Sequence, residues 1–271
     1  METNTAVMVR IGELWLKSEQ VKKQFMASLM RNIRASLDAA GIEYKTEEYR
    51  GRILIYGDAE RIAAVVSRVF GIVDVSICTT CGNSPDEIAA AAVAVADGKL
   101  RPGMRFAVRA RRQHVGGFTS QELARIVADA VWDQVPDFVV DLEHPEYEIF
   151  VEAREYGGIV YDSRIPGQGG LPLGTAGKAM LLLSSGIDSP VAAWLMMRRG
   201  VVISGVFMDG GRWAGPATKD LALDNARILS TWSPGKNFAV WVVDMKPFFA
   251  AMTTGTGTAK LYNTITNSNI H

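Results

Sequence analysis

The sequence predicts an α+β region followed by an α/β region. Three observations predict it. Residues 6–77 run strand, helix, strand, strand, helix, strand, with glycines at the turns (Gly41, Gly51, Gly71). Residues 180–208 run buried strand, small-residue turn, helix, buried strand, the unit of a parallel sheet. Between the two, residues 164–174 (RIPGQGGLPLG) are rich in Gly and Pro and mark a linker.

The first region opens with a strand over 6–11. Ser18 suits the N-cap of a helix running to about residue 40. Val21, Phe25, Leu29, Ile33 and Leu37 recur every four residues there and form a buried stripe. Lys17, Lys22, Lys23, Arg31 and Arg34 lie on its exposed faces. Residues 42–49 and 52–56 form two strands. Asp58 caps a helix over 59–70, and 72–77 is the closing strand. This order is the split ferredoxin-like arrangement, expected over 1–77.

A second module is expected over 78–164. Ser84-Pro-Asp-Glu87 and Thr119-Ser-Gln-Glu122 are capping boxes, which open helices to about residues 97 and 132. Strands over 104–110, 138–142, 148–151 and 158–161 complete a small mixed sheet. After a linker at 165–177, the third module, 178–271, begins. Met180–Leu183 is apolar; Ser184, Ser185 and Gly186 turn; Asp188, Ser189 and Pro190 start a helix; Arg198, Arg199 and Gly200 end it. A strand over 201–208, a helix over 220–232 and a strand over 238–243 follow. The result is parallel and doubly wound, but its three strands are about half of a usual sheet of roughly five or six. From Thr253 the sequence (TTGTGTAKLYNTITNSNIH) has no apolar period and does not continue the pattern.

Bulk properties bound the function. With 48% hydrophobic and 21% charged residues, the 271-residue chain has enough apolar material for real cores. Net charge is zero, so any nucleic-acid surface must be local. No secretory segment or apolar run of spanning length is present, which predicts a soluble, cytoplasmic protein without a membrane partner. The two cysteines, Cys78 and Cys81, exclude a disulfide framework. Their spacing suits metal or redox work, but zinc needs two more ligands, and only His114 and His144 precede His271. Two ordinary thiols and no metal site are expected.

The chemistry centres on residues 184–189. A Walker loop is absent: at Gly177-Lys178, Pro172 takes the first Gly position and Ala179 the Ser/Thr position. The N–H groups of the turn and the hydroxyls of Ser184, Ser185 and Ser189 suit phosphates, with the helix dipole behind them. Asp188 either caps the helix or helps hold Mg²⁺. The competing account is an ordinary strand-to-helix turn capped by Asp188 and Ser189. Ser-Ser-Gly-Ile-Asp-Ser resembles the Ser-Gly-Gly-x-Asp-Ser loop of ATP-pyrophosphatases, with Ser185 in place of the first glycine.

Further motifs follow in order: Gly12-Glu-Leu-Trp-Leu-Lys-Ser18, Phe106-Ala-Val-Arg-Ala-Arg-Arg112, Gly169-Gly-Leu-Pro-Leu-Gly-Thr175, and Leu182 to Ala193 with Met196-Met-Arg-Arg-Gly200. To about residue 250 the chain resembles the tRNA 4-thiouridine synthetases (tRNA sulfurtransferases, also linked to thiamine thiazole synthesis). The resemblance implies a ferredoxin-like domain, a THUMP domain and an ATP-pyrophosphatase (PP-loop) domain. It implies ATP-dependent activation of a tRNA uridine at position eight, then sulfur transfer. By position, Leu182, Leu183, Phe207 and Met208 would flank adenine and ribose, while Ser184, Ser185, Gly186, Asp188 and Ser189 would hold the phosphates. Asp188 and Ser189 are the candidate catalytic pair, with ATP and Mg²⁺ as cofactors. A sulfur-donor protein of the cysteine desulfurase type and a homodimer are the implied protein partners.

Tracing the RNA, five arginines (101, 105, 109, 111, 112) fall in twelve residues without an acid. On a strand, Arg105, Arg109 and Arg111 share a face. With Arg112, and with Lys17, Lys22 and Lys23 extending it, this patch suits tRNA phosphates, although a solvated charged face fits the residues alone. The chain departs from the family's later half: no cysteine follows Cys81, and the downstream basic segment, the Gly-rich ATP-contact segment and a rhodanese-like extension are lacking, so the sulfur-delivering part is missing. A truncated or frameshifted form, a short paralogue, and a partner supplying the remainder all fit. The expected function is a tRNA sulfurtransferase. The alternatives are a catalytically incomplete THUMP-type tRNA-binding protein with a residual ATP site, and a small α/β ATPase unrelated to RNA.

Overall fold

Asn4–Ile11 forms strand β1. Ala6, Val7, Met8 and Val9 on it are all fully buried, so both faces of this strand are covered. The computed structural model describes residues 4–12, 18–236 and 238–254. These divide into two units: Ser36–Gly169 with the described part of 1–17, and Ser18–Ala35 with the described part of 170–271. The predicted Gly12–Ser18 motif, Lys17 included, lies mostly outside the described residues, as does the threonine-rich tail from residue 255.

Helix α1 (Glu19–Ala39) begins directly after Ser18, and Leu29, Ile33 and Leu37 of its predicted stripe are buried. The helix is divided between the units, with Ser18–Ala35 in the second. Within that unit the Asn32 amide donates to the Leu173 carbonyl at 3.1 Å. Strands β2 (Tyr44–Tyr49) and β3 (Arg52–Gly57) form a hairpin, and α2 (Ala59–Val66) is capped by Asp58, which accepts from the Arg61 N–H at 3.3 Å. The helix stops four residues before the predicted end, and turns carry the chain to Gly71.

Strand β4 (Ile72–Cys81) is longer than the predicted 72–77. Its alternating, β-branched sequence simply continues, and the boundary drawn after residue 77 falls inside it. After α3 (Pro85–Ala96), β5 (Arg105–Gln113), α4 (Ser120–Trp132), β6 (Val139–Val140), β7 (Tyr147–Arg154), β8 (Gly157–Tyr161) and β9 (Ile165–Pro166), one sheet is complete. Its order is β2-β3-β1-β4-β8-β7-β5-β6, with β9 also paired to β4. β4 therefore joins the ferredoxin-like and THUMP parts edge to edge, pairing β1 on one side and β8 and β9 on the other. The start of the predicted linker is sheet: the Gly167 N–H reaches the Val73 carbonyl at 2.8 Å. A Cβ on Gly167 would lie 2.3 Å from the Ile72 carbonyl oxygen, so only glycine permits that approach. Ile88, Phe106, Leu123, Ile149 and Val151 make one core on this sheet; Ala6, Met8, Leu54, Cys78 and Ile159 make another.

The second unit carries β10 (Lys178–Leu183), α5 (Asp188–Arg198), β11 (Val202–Asp209), α6 (Thr218–Ser230), β12 (Val240–Asp244) and α7 (Lys246–Thr254). The strands are parallel in the order β10-β11-β12. They advance in one direction, and the reversal that makes a sheet doubly wound is not among the described residues. One face packs Leu183 and Phe207 against Ala222 and Ala226 of α6. The other exposes Met180, Leu182, Met208, Trp241 and Val243. No described helix is long and apolar enough to cross a membrane.

Candidate functional site

The Ser184–Ser189 turn leaves the carboxyl end of β10 and enters α5, as predicted. Its internal geometry differs from a capped turn. Asp188 is the first helical residue rather than the cap; Ile187 is the N-cap, and no side chain caps the helix. Ser189 is spoken for: its hydroxyl accepts from the Ser184 N–H at 3.0 Å and lies 3.0 Å from the Ser184 hydroxyl. The account in which Asp188 and Ser189 merely cap α5 is thereby corrected. The reason is positional, since neither carboxylate nor hydroxyl sits one residue ahead of the helix, where it would meet the first-turn amides.

Among the described residues, the N–H groups of Ser185, Gly186 and Ile187 find no protein acceptor. Three free amides at an uncapped helix start favour an anion. Gly186 points the same way. Its φ is not positive, and a Cβ there would meet nothing nearer than the Ser184 hydroxyl at 3.7 Å. Protein packing does not demand the glycine, whereas close approach of a ligand to the backbone would. On α6, the Asn225 side-chain amide donates to the Ser184 and Gly186 carbonyls at 3.4 and 3.2 Å. Sequence reasoning missed Asn225, although a polar residue between the buried Ala222, Ala226 and Leu229 on one helix face was a readable sign.

The strand alternation splits both residue pairs expected to flank a nucleoside. Leu183 and Phe207 point into the core, whereas Leu182 (71% exposed) and Met208 (48%) face outward. The first two offer only backbone at the site. Asp209 closes β11 beside the turn's level in the sheet. It accepts from the Gly211 N–H at 3.0 Å and pairs with Lys219 at 3.3 Å. The Gly211 bond first, then Lys219, hold its carboxyl below the usual range.

The arginines of β5 divide by strand parity. Arg109 and Arg111 line a groove with Arg164, Gln121 and Phe150. Arg109 is held by Glu148 at 2.7 Å and the Leu142 carbonyl at 2.7 Å, and Arg111 is exposed. Arg105 shares their face but pairs with Glu146 at 3.4 Å. Arg112, one residue out of phase, donates to the Val115 carbonyl instead. Lys22 pairs with Glu19 at 2.7 Å and Lys23 is exposed; both belong to the second unit. Arg164 was not predicted. It lies beyond the module's last strand, and the fold returns it to 4.3 Å from the Phe150 ring centre.

Cys78 and Cys81 are both buried and both free. An odd offset on a strand sends them to opposite faces, Cys78 into one core and Cys81 into the other. They cannot share a metal ion. Burial pushes Cys78 up to about 12 and Cys81 to about 11.

Three family models match this sequence. The ThiI ferredoxin-like domain covers residues 6–76, the THUMP domain 82–161, and Thiamine biosynthesis protein (ThiI) 174–265. The two ThiI models together span more than half of the chain. The chain belongs to the ThiI family. A probable tRNA sulfurtransferase of Methanosarcina acetivorans is 40% identical over 246 residues, 89% of this chain and 60% of that protein. Another, of Aeropyrum pernix, is 36% identical over 251 residues, covering 91% and 62%. This ThiI-family chain thus spans about 60% of the length of such curated relatives. Among solved structures, a 4-thiouridine synthetase crystallised in complex with RNA and with bound ATP superposes with a TM-score of 0.80 at 27% identity, covering 93% of this chain and 65% of that one. A Pyrococcus horikoshii protein gives 0.79 at 28%, covering 92% and 81%.

Proposed function

We propose that this chain carries the tRNA-binding and ATP-binding parts of a tRNA sulfurtransferase, which adenylates the uridine at position eight for 4-thiouridine formation. The observation that carries this reading is the set of free amides at Ser185, Gly186 and Ile187 ahead of the uncapped α5. These groups would bind the β,γ-phosphates, with the Ser184, Ser185 and Ser189 hydroxyls beside them. The exposed Asp188 would hold Mg²⁺, whose role is to neutralise the phosphates. The backbone of Leu182, Leu183, Phe207 and Met208 would border the nucleoside. The uridine 4-oxygen attacks the α-phosphorus and pyrophosphate leaves; a sulfur nucleophile then displaces AMP. Arg109, Arg111 and Arg164 would grip tRNA phosphates.

Neither thiol of residues 1–271 is placed to deliver sulfur. The two described thiols are buried and protonated, and no cysteine follows Cys81. A cysteine desulfurase-type donor is the natural source, in the cytoplasm, and the same route would feed thiamine thiazole synthesis. A homodimer is part of this reading. The buried thiols also favour a second reading, a tRNA-binding protein with a residual ATP site that does not thiolate.

The test is ATP–pyrophosphate exchange and ATP binding for wild type and Asp188→Ala, with tRNA affinity measured in parallel. tRNA-stimulated exchange that Asp188→Ala abolishes supports the enzyme. Strong, salt-sensitive tRNA binding without exchange supports the binding protein. Reversing Arg109 and Arg111 to Glu should weaken tRNA binding about 100-fold and flatten its salt dependence. Unchanged tRNA affinity would sink the groove.

A further inference from the structure

We infer that Asn225 is a positioning residue: it sets the direction of two peptide planes in the Ser184–Ser189 turn, so that the Ser185 and Ile187 N–H groups face the anion. The inference deepens the nucleotide reading above and rests on it for its consequence, but not for its geometry.

A side-chain amide nitrogen carries two hydrogens, and Asn225 uses its nitrogen on two carbonyls. They are the carbonyls of Ser184 and Gly186, at 3.4 and 3.2 Å. A trans peptide is planar, and its C=O and N–H point in opposite directions. No cis bond is present here. The carbonyl of Ser184 belongs to the same plane as the N–H of Ser185. The carbonyl of Gly186 belongs to the same plane as the N–H of Ile187. Drawing both carbonyls toward α6 therefore turns both N–H groups away from it. These are two of the three turn amides without a protein acceptor. The alternating choice of carbonyls matters, because the two clamped planes flank the Ser185–Gly186 plane and leave it little freedom.

The turn has few other restraints. Ser189 holds only the N–H and hydroxyl of Ser184, which precede the clamped planes. Gly186 imposes no conformation of its own. Without Asn225, either plane could rotate and present a carbonyl oxygen to the phosphate, replacing attraction by repulsion. The half-exposed position of Asn225 in the α6 stripe, among buried alanines and a leucine, has no packing explanation.

Asn225→Ala and Asn225→Asp remove the donors, the second with almost no change in shape. Backbone 15N relaxation of the free protein, resolved to residues 185–187, reads the turn directly. Both variants should lower the order parameters there from about 0.85 to below about 0.6, with α6 itself unchanged, and both should bind pyrophosphate about tenfold more weakly at a temperature where they are fully folded. Asn225→Gln, which keeps the donor, should recover part of both. Turn order and pyrophosphate affinity as in wild type would overturn the proposal, as would a loss of order spread evenly over α6. If wild type binds no pyrophosphate or ATP, the nucleotide reading fails, and the relaxation data still decide whether Asn225 holds the turn.

Discussion

The nine-stranded sheet and the three-stranded sheet are built from similar strands but covered very differently. In the larger, most residues of β1 and β7 and all of β8 are buried. In the smaller, β10 and β12 are mostly exposed, and Met180, Leu182, Met208, Trp241 and Val243 on one face stand exposed. The Ser184–Ser189 turn leaves the poorly covered sheet; the arginine-lined groove lies on the well covered one. Covering sets how much each strand contributes to stability, whereas the turn's chemistry depends on a few hydrogen bonds.

The contrast can be broken most forcefully in the larger sheet. Phe106, 1% exposed and edge-on to Phe138 at 4.9 Å, should cost about 3–5 kcal/mol when cut to Ala, read from urea denaturation. Glu152→Gln should cost a similar amount, about 3–5 kcal/mol, because it strands Arg52 and Arg154, which sit 2.9 and 2.6 Å from that carboxylate. Burial works to raise the Glu152 carboxyl, but the two guanidiniums outweigh it and hold it below its ordinary 4.5. A depressed carboxyl stabilises the fold fully above that value and loses its contribution as pH falls through the lower, folded one. Wild type should therefore weaken on acidification below pH 4.5, and Glu152→Gln should lack that part of the loss.

Effects in the smaller sheet are weaker and of another kind. Ser189→Ala removes the acceptor of the Ser184 N–H and should reduce ATP affinity about five- to tenfold by calorimetry, with little change in unfolding. Leu182→Ala, at a site 71% exposed, should change stability by less than about 0.5 kcal/mol. A Leu182→Ala loss matching that of Phe106→Ala would erase the contrast.

Much of this was legible in the sequence wherever the determinant is local. Thr119 and Glu122 form the expected reciprocal cap, and the Ser84 hydroxyl accepts from the Glu87 N–H while donating to its carboxylate. The Ser184–Ser189 turn sits where the strand–turn–helix pattern put it. What escaped was non-local or spanned a boundary. β4 runs through the junction because nothing in VDVSICTTC stops a strand. β9 exists because β4 offers an edge to Ile165 and Pro166, which composition cannot reveal. α7 was missed because PFFAAMT has neither clear period nor cap. Arg164 joins Arg109 through the fold alone, 55 residues on in the chain.

The two thiols of β4 give the molecule a built-in clock. Thiol reagents need a thiolate and a path to it, and in the folded chain Cys78 and Cys81 have neither. Each becomes reactive only while its own layer is open. Cys81 is sealed by the α3 and α4 side of the sheet and Cys78 by the opposite side, with Met8 and Leu54. Labelling followed by mass at each position would time the lifting of each layer separately, in unmodified protein, and equal rates at both would mean that the sheet opens only as a whole.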